Sequence, residues 1–292
     1  MISSELARKI RAIRIYTSKA VNDILAGEYE SVFKGRGMAF DEVREYQPGD
    51  DIRAIDWNVT ARTGHPYVKQ YVEERELTVF LLVDLSASGI FGTVHHLKNE
   101  VAAELCALLA FSAIKNNDKV GLIAFTDTVE MFIPPKKGAT HVLRLIREIL
   151  NFSPERGGTD IAASLNFLGR ISHKRSVAFL VSDFIDRDFV KPMRIIARRH
   201  DLIAVSITDP REQQLPDAGL IALEDAETRQ RIMIDSGSPL VRRAFAASSA
   251  KRARELAGQF AAMGVDHIPL QTTHDYVLDL VRFFRMRERR RR

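Results

Sequence analysis

Three oxygen-bearing side chains stand at alternate positions in Asp84-Leu85-Ser86-Ala87-Ser88, directly after the apolar run 77–84 (LTVFLLVD). Where a loop leaves a strand end, alternate residues face one side, so this spacing aims a carboxylate and two hydroxyls into one crevice. Such oxygens are hard donors of the kind that Mg²⁺ and Mn²⁺ take. Two more oxygen donors stand at element ends: Thr159 in Gly157-Gly158-Thr159-Asp160, and Asp183 closing the run 176–183 (SVAFLVSD). The competing expectation is helix capping, because Ser and Asp both satisfy the free amides of a helix start. A cap needs one such residue, whereas three alternate here and two distant donors follow. Asp160 reads as a helix N-terminal acid favoured by the dipole.

The elements that must position these residues follow from periodicity. Across 77–209, apolar runs at 77–84, 119–126, 129–133, 176–183 and 202–208 alternate with helical patterns at 96–115, 139–150, 160–171 and 189–200. The run at 129–133 is expected to end at Pro134-Pro135. Such alternation predicts an α/β fold: a doubly wound, mostly parallel sheet flanked by helices. A hairpin insertion is expected near 219–235 with its turn at 225–228, then a helix at 240–263 ended by Gly264, a strand at 265–270 and a basic helix at 275–287. With the sheet strands numbered one to six, the order 3-2-1-4-5-6 sets strands one and four side by side at the switch point. Their carboxyl ends carry Asp84 and Asp183.

Residues 1–76 read differently and are expected to form an N-terminal helix and short-strand segment packing on a core domain of 77–292. The helix is expected over 3–25, with short half-exposed strands at 40–46 and 67–72 and turns at Pro48-Gly49-Asp50 and Gly64. The run from Asp50 to Arg62 offers either a binding surface or an organising pair between Arg53 and Asp56; the pair is preferred.

Composition limits the function classes. Of 292 residues, 46% are apolar and 28% charged, which suits a globular protein with a sizeable core. A single cysteine, Cys106, excludes an internal disulfide and reads as a core residue. No apolar stretch approaches the ~18 residues of a membrane helix, and the first twenty residues lack a leader's apolar segment, so a cytoplasmic location is expected. The net charge is +5, yet residues 282–292 (RFFRMRERRRR) alone carry +6. The basic character therefore belongs to the tail, which is read as a solvated helix end, with nucleic-acid or anionic-lipid contact as the alternative. No phosphate loop, dinucleotide fingerprint, HExxH or paired CxxC is present. His95-His96 reads as a helix-start surface, since neighbours on a helix point about 100° apart. A phosphatase of the haloacid dehalogenase type needs a second Asp where Ser86 stands. A seryl hydrolase needs a histidine in reach, for which His65, His141 and His173 are the candidates. A non-enzymatic role is expected, with a metal-dependent hydrolase as the alternative.

The set Asp84, Ser86, Ser88, Thr159 and Asp183 resembles, in type and order, the metal-ion-dependent adhesion site of von Willebrand factor type A domains. The resemblance implies that the two serines and the threonine ligate Mg²⁺ or Mn²⁺, that the acids act largely through water, and that an acidic residue of a partner protein completes the shell. The block GRGMAFDEVREYQPGDDIRAIDWNVTARTGHPYVKQYVEERE with VFLLVDLSAS, VSDF at 181–184, Asp209-Pro210-Arg211-Glu212 and Leu223-Glu224-Asp225 is similar to the domain of unknown function 58 family, over about residues 27–285. That resemblance implies a type A-like fold and a MoxR-type AAA+ ATPase as partner, in protein complex assembly or maturation. The chain departs from the pattern at Gly89, where a larger apolar residue is common.

Overall fold

The computed structural model describes residues 4–291 apart from 22–24, 34–36, 75, 93–96, 153–157, 187, 225–229 and 274. The chain runs α1 (Ser4–Ala20), α2 (Ala26–Val32), β1 (Gly37–Glu45), α3 (Trp57–Thr63), β2 (Tyr67–Glu74), β3 (Thr78–Asp84) and α4 (Lys98–Lys115). It continues through β4 (Lys119–Phe125), β5 (Val129–Lys136), α5 (Ala139–Asn151), α6 (Ile161–Ile171), β6 (Val177–Ser182), α7 (Val190–Arg199), β7 (Asp201–Thr208) and α8 (Pro210–Gln213). The last elements are β8 (Leu220–Glu224), β9 (Arg231–Asp235), α9 (Pro239–Met263), β10 (Asp266–Gln271) and α10 (Tyr276–Arg291).

Six strands form one sheet in the order β10-β7-β6-β3-β4-β5, parallel throughout except between β4 and β5. This is the doubly wound order expected from the sequence. Every residue of β6 is buried, and β3 and β7 are buried at every interior position. Strands with no polar face need helices on both sides. Alternate residues divide between the two layers. Phe80 and Leu82 join Leu180 and Ala204 against Leu165, Met193 and Phe260 of α6, α7 and α9. Val79, Leu81 and Val83 face the opposite way. Helix α4 is buried nearly all round because it lies between the sheet and α1, α2 and α5. Cys106, in its middle, is a core residue, and burial pushes its thiol up to about 12.

The contacts group residues 1–32 with 77–292 and set 33–76 apart as a second compact unit. The first unit holds its N-terminal helices through Tyr29 of α2. Its ring meets Phe284 of α10 edge-on at 6.1 Å, and its hydroxyl donates to Asp118 Oδ2 at 3.0 Å. Asp118 Oδ1 accepts from Leu77 N at 2.8 Å, just ahead of β3. In the second unit, β1 and β2 pair antiparallel with a bulge at Asp41.

Several local expectations change. Of the helix expected over 3–25, α1 covers Ser4–Ala20, Val21 and Leu25 carry wider π-type turns, and 22–24 lie outside the described residues. Strand β5 runs through Pro134 and Pro135 to Lys136, which an edge strand permits because its outer amides need no partner. Gly64, read as a turn, is the left-handed C-cap of the short helix α3 at φ 76°. Asp56 caps that helix through Asn58 N and Val59 N and pairs with Lys69 at 3.6 Å in place of Arg53. The organising ion pair is instead Arg44 with Asp50, a two-pronged contact at 2.8 and 2.7 Å. The arginine tail is not merely solvated: Arg285 pairs with Glu28, Arg287 is buried against Asp201 and Asp266, and Arg290 reaches Asp266. The expected 225–228 turn and His95-His96 lie outside the described residues. No helix among the described residues is long and apolar enough to cross a membrane.

Replacing Asp118 with Ala removes the acceptor of both the Tyr29 hydroxyl and the Leu77 amide. The expected loss in urea unfolding is about 2–4 kcal/mol, since each buried polar group left unpaired costs roughly 1–3 kcal/mol. Tyr29→Phe, which removes one bond and keeps the ring, is expected to lose about half of that.

Candidate functional site

Asp84 is the last residue of β3, where the strand leaves the sheet. Its Oδ1 accepts from Ser86 N at 3.0 Å and its Oδ2 accepts from Ser182 Oγ, at the end of the neighbouring strand β6, at 2.6 Å. Both carboxylate oxygens are thereby fixed from within the protein. The chain then turns into a short 3₁₀ segment, Ala87–Ile90, with Ser86 as its cap residue. The Ser86 side chain makes no capping bond. It faces Ser88 instead, with the two Oγ atoms 3.0 Å apart and Ser86 only 1% exposed. Capping therefore does not account for the two hydroxyls. At Gly89 an added Cβ would approach nothing nearer than Asn99 Cβ at 3.9 Å, so a larger residue fits the loop.

Asp183 follows β6, one residue past Ser182, which the β3–β6 register sets beside Asp84. Phe184 has φ 56°, an uncommon conformation for a residue other than glycine. This sharp turn places the Phe184 ring in the core against Phe189 and Phe260, while its amide donates to Ser182 Oγ at 3.0 Å. Asp183 Oδ1 accepts from Ile185 N at 3.2 Å. Its Oδ2 accepts from the Lys98 ammonium at 3.2 Å, and the same ammonium reaches Glu212. Lys98 is 3% exposed. Burial favours its neutral form, but the adjacent charges of Asp183 and Glu212 outweigh that and hold the ammonium above its ordinary range. Glu212 Oε2 also accepts from Asp209 N, closing a capping box on α8. One cation thus fastens the start of α4, the end of β6 and α8.

Burial is the larger cause raising the Asp84 carboxyl to about 6, and the nearby charge of Asp183 adds to it. The two acids therefore share one electrostatic environment. Thr159 lies one strand over, on the loop entering α6. That loop is fixed by Asp160 N donating to Thr126 O at 2.8 Å, just past β4. Asp160 caps α6 through Ala163 N at 2.8 Å, as a helix N-terminal acid. The structure thus joins Asp84, Ser86 and Ser88 to the end of β6, and places Thr159 on the β4 side of the same sheet end.

Three residues of this crevice were not foreseen: Ser182, Lys98 and Glu212. Lys98 carried a usable signal, because a cation in the first turn of a helix opposes the dipole and calls for an acid nearby. Among the described residues no group of three or more His, Cys, Asp or Glu forms a metal cage. The donors gathered here are hydroxyls first and carboxylates second. Serine–histidine bonds do occur, Ser176 to His200 and Ser206 to His267, each 2.8 Å. Both hydroxyls are buried, at 2% and 5% exposure, out of reach of a substrate.

A family model described as a protein of unknown function, DUF58, matches residues 42–255. The uncharacterized protein Rv1480 of Mycobacterium tuberculosis is 33% identical over 290 residues, spanning 98% of this chain and 90% of that protein. Similar solved structures include the conserved hypothetical protein BatB from Bacteroides thetaiotaomicron, at 14% identity and TM-score 0.46, covering 73% of this chain and 99% of that one. Another is the SpRpn10 VWA domain, at 12% identity and TM-score 0.39, covering 70% and 94%. A sequence match across most of the chain, together with the doubly wound sheet it encodes, makes this protein a member of the DUF58 family.

Proposed function

We propose that the chain is a non-enzymatic protein-interaction module whose crevice takes a divalent cation, Mg²⁺ or Mn²⁺, and through it an acidic residue of a partner protein. The observation that carries this reading is the 3.0 Å separation of Ser86 Oγ and Ser88 Oγ at the carboxyl end of a central strand. Two oxygens bound about 2.1 Å from an octahedral ion at right angles stand roughly 3.0 Å apart. The pair therefore fits adjacent ligand positions with neither oxygen moving, once the hydroxyl proton now shared between them turns away. Ser86 and Ser88 would hold the ion directly, Thr159 would approach from the β4 side, and Asp84 and Asp183 would act through water. Bound there, the ion supplies an electrophilic position for a carboxylate from outside. Asp84, held by Ser86 N and Ser182 Oγ, orients the serine loop. As a working partner we propose a MoxR-type AAA+ ATPase, with a role in protein complex assembly or maturation in the cytoplasm, on the strength of the family resemblance. The arginine tail is the weaker candidate surface, because Arg285, Arg287 and Arg290 already engage acids of this chain.

Mn²⁺ titration followed by the electron paramagnetic resonance of the free ion tests the site. Wild type is expected to bind one ion, and Ser86→Ala to lose at least about tenfold in affinity with an unchanged melting temperature. Equal binding by the variant removes the serine pair as ligands. Pull-downs in Mg²⁺ and in EDTA then test the partner, which is expected only in the Mg²⁺ sample.

Without metal, Asp84 sets a pH dependence of stability. Its folded-state carboxyl titrates near 6 rather than 3.8, so the folded chain holds this proton more tightly than the unfolded one. Its contribution is full at low pH and is lost as pH rises from about 4 to about 6, by at most about 3 kcal/mol. Urea unfolding of wild type and Asp84→Asn in EDTA is expected to show wild type losing ground to the variant across that window, with a constant difference above pH 7.

A further inference from the structure

Lys98 is more than a structural tie. Building on the metal reading above, we propose that its ammonium is a tethered counter-ion that holds Asp183 when no divalent ion is bound, and that an incoming ion must break the Lys98–Asp183 contact, leaving the ammonium on Glu212 alone. Both oxygens of Asp183 are engaged, one by Ile185 N and one by the full positive charge of Lys98 at 3.2 Å. An ion that draws on Asp183, directly or through water, meets that charge within a few ångströms, where like charges repel strongly. Glu212, already in contact with the ammonium, is the partner that keeps it when Asp183 is drawn away. Its side chain is 29% exposed against 5% for Asp183, so the Lys98–Glu212 contact lies nearer solvent and survives loss of the Asp183 contact at lower cost. Lys98 opens α4 at the end of the helix where the dipole disfavours a cation. The two acids therefore hold it in place, and its position responds to whatever else those acids bind.

The consequence is that metal affinity is set by competition with an internal cation. Relief of that competition has an unusual sign: removing a buried, ion-paired residue strengthens ligand binding. A purely structural tie gives the opposite result, since loosening the crevice weakens it.

The test is Mn²⁺ binding, read by electron paramagnetic resonance, in the full chain and in Lys98→Met, Glu212→Gln and Ser86→Ala, with melting temperatures in EDTA to confirm folding. Lys98→Met keeps the side chain's length and removes its charge. It is expected to bind Mn²⁺ at least about tenfold more tightly than wild type. Glu212→Gln, which leaves the ammonium to Asp183 alone, is expected to bind several-fold more weakly. Lys98→Met that folds but binds no better than wild type overturns the counter-ion role, while loss of binding in Ser86→Ala leaves the metal site standing. If Lys98→Met does not fold, Glu212→Gln decides: weaker binding supports the proposal, and unchanged binding overturns it. No Mn²⁺ binding by any folded variant overturns the metal reading and this one with it.

Discussion

Parallel pairing of β3 with β6 sets two carboxylates at neighbouring strand ends, under helices that exclude much of the water. The charge of Asp183 adds to burial in disfavouring an ionised Asp84, so the pair must be compensated by donors from the surrounding chain. The local structure answers that constraint. Ser182 Oγ and Ser86 N take the oxygens of Asp84, and Ile185 N and Lys98 take those of Asp183. The left-handed turn at Phe184 lets β6 end in an outward acid and a buried ring at successive residues.

A site assembled this way differs from a carboxylate cage. Each oxygen of its acids already accepts from a donor of the same chain, which fixes the carboxylates and leaves the neutral serine hydroxyls as the pair set side by side. Neutral oxygens hold a divalent ion less tightly than carboxylates do and leave it more electrophilic. That balance suits recognition of an acidic group and does not supply a nucleophile or a base.

The sheet was legible because its strands are apolar at every position, and only a doubly covered parallel sheet buries such runs. Asp84 and Asp183 were legible because an acid closing an apolar run must sit where the strand emerges. Lys98 was legible only in part: a cation in a first turn calls for an acid, but that the acids are Asp183 and Glu212, the latter more than a hundred residues later, is set by the fold. The prolines of β5 misled in a different way: they end a central strand but not an edge strand, and edge position is a property of the whole sheet. Helix α3 escaped because seven residues carry little periodicity, and its signal was only the Asp56 cap and Gly64. The partner of Asp56 was misassigned because β-pairing, not sequence proximity, brings Lys69 to it.

The register of β1 with β2 pairs Gly37 with Glu74, so the unit of residues 33–76 enters and leaves through strands hydrogen-bonded to each other. Its ends are therefore neighbours by construction. An excursion closed at its own base behaves as a clasp: strain within it is taken up by the β1–β2 ladder and does not change the distance its two ends must bridge.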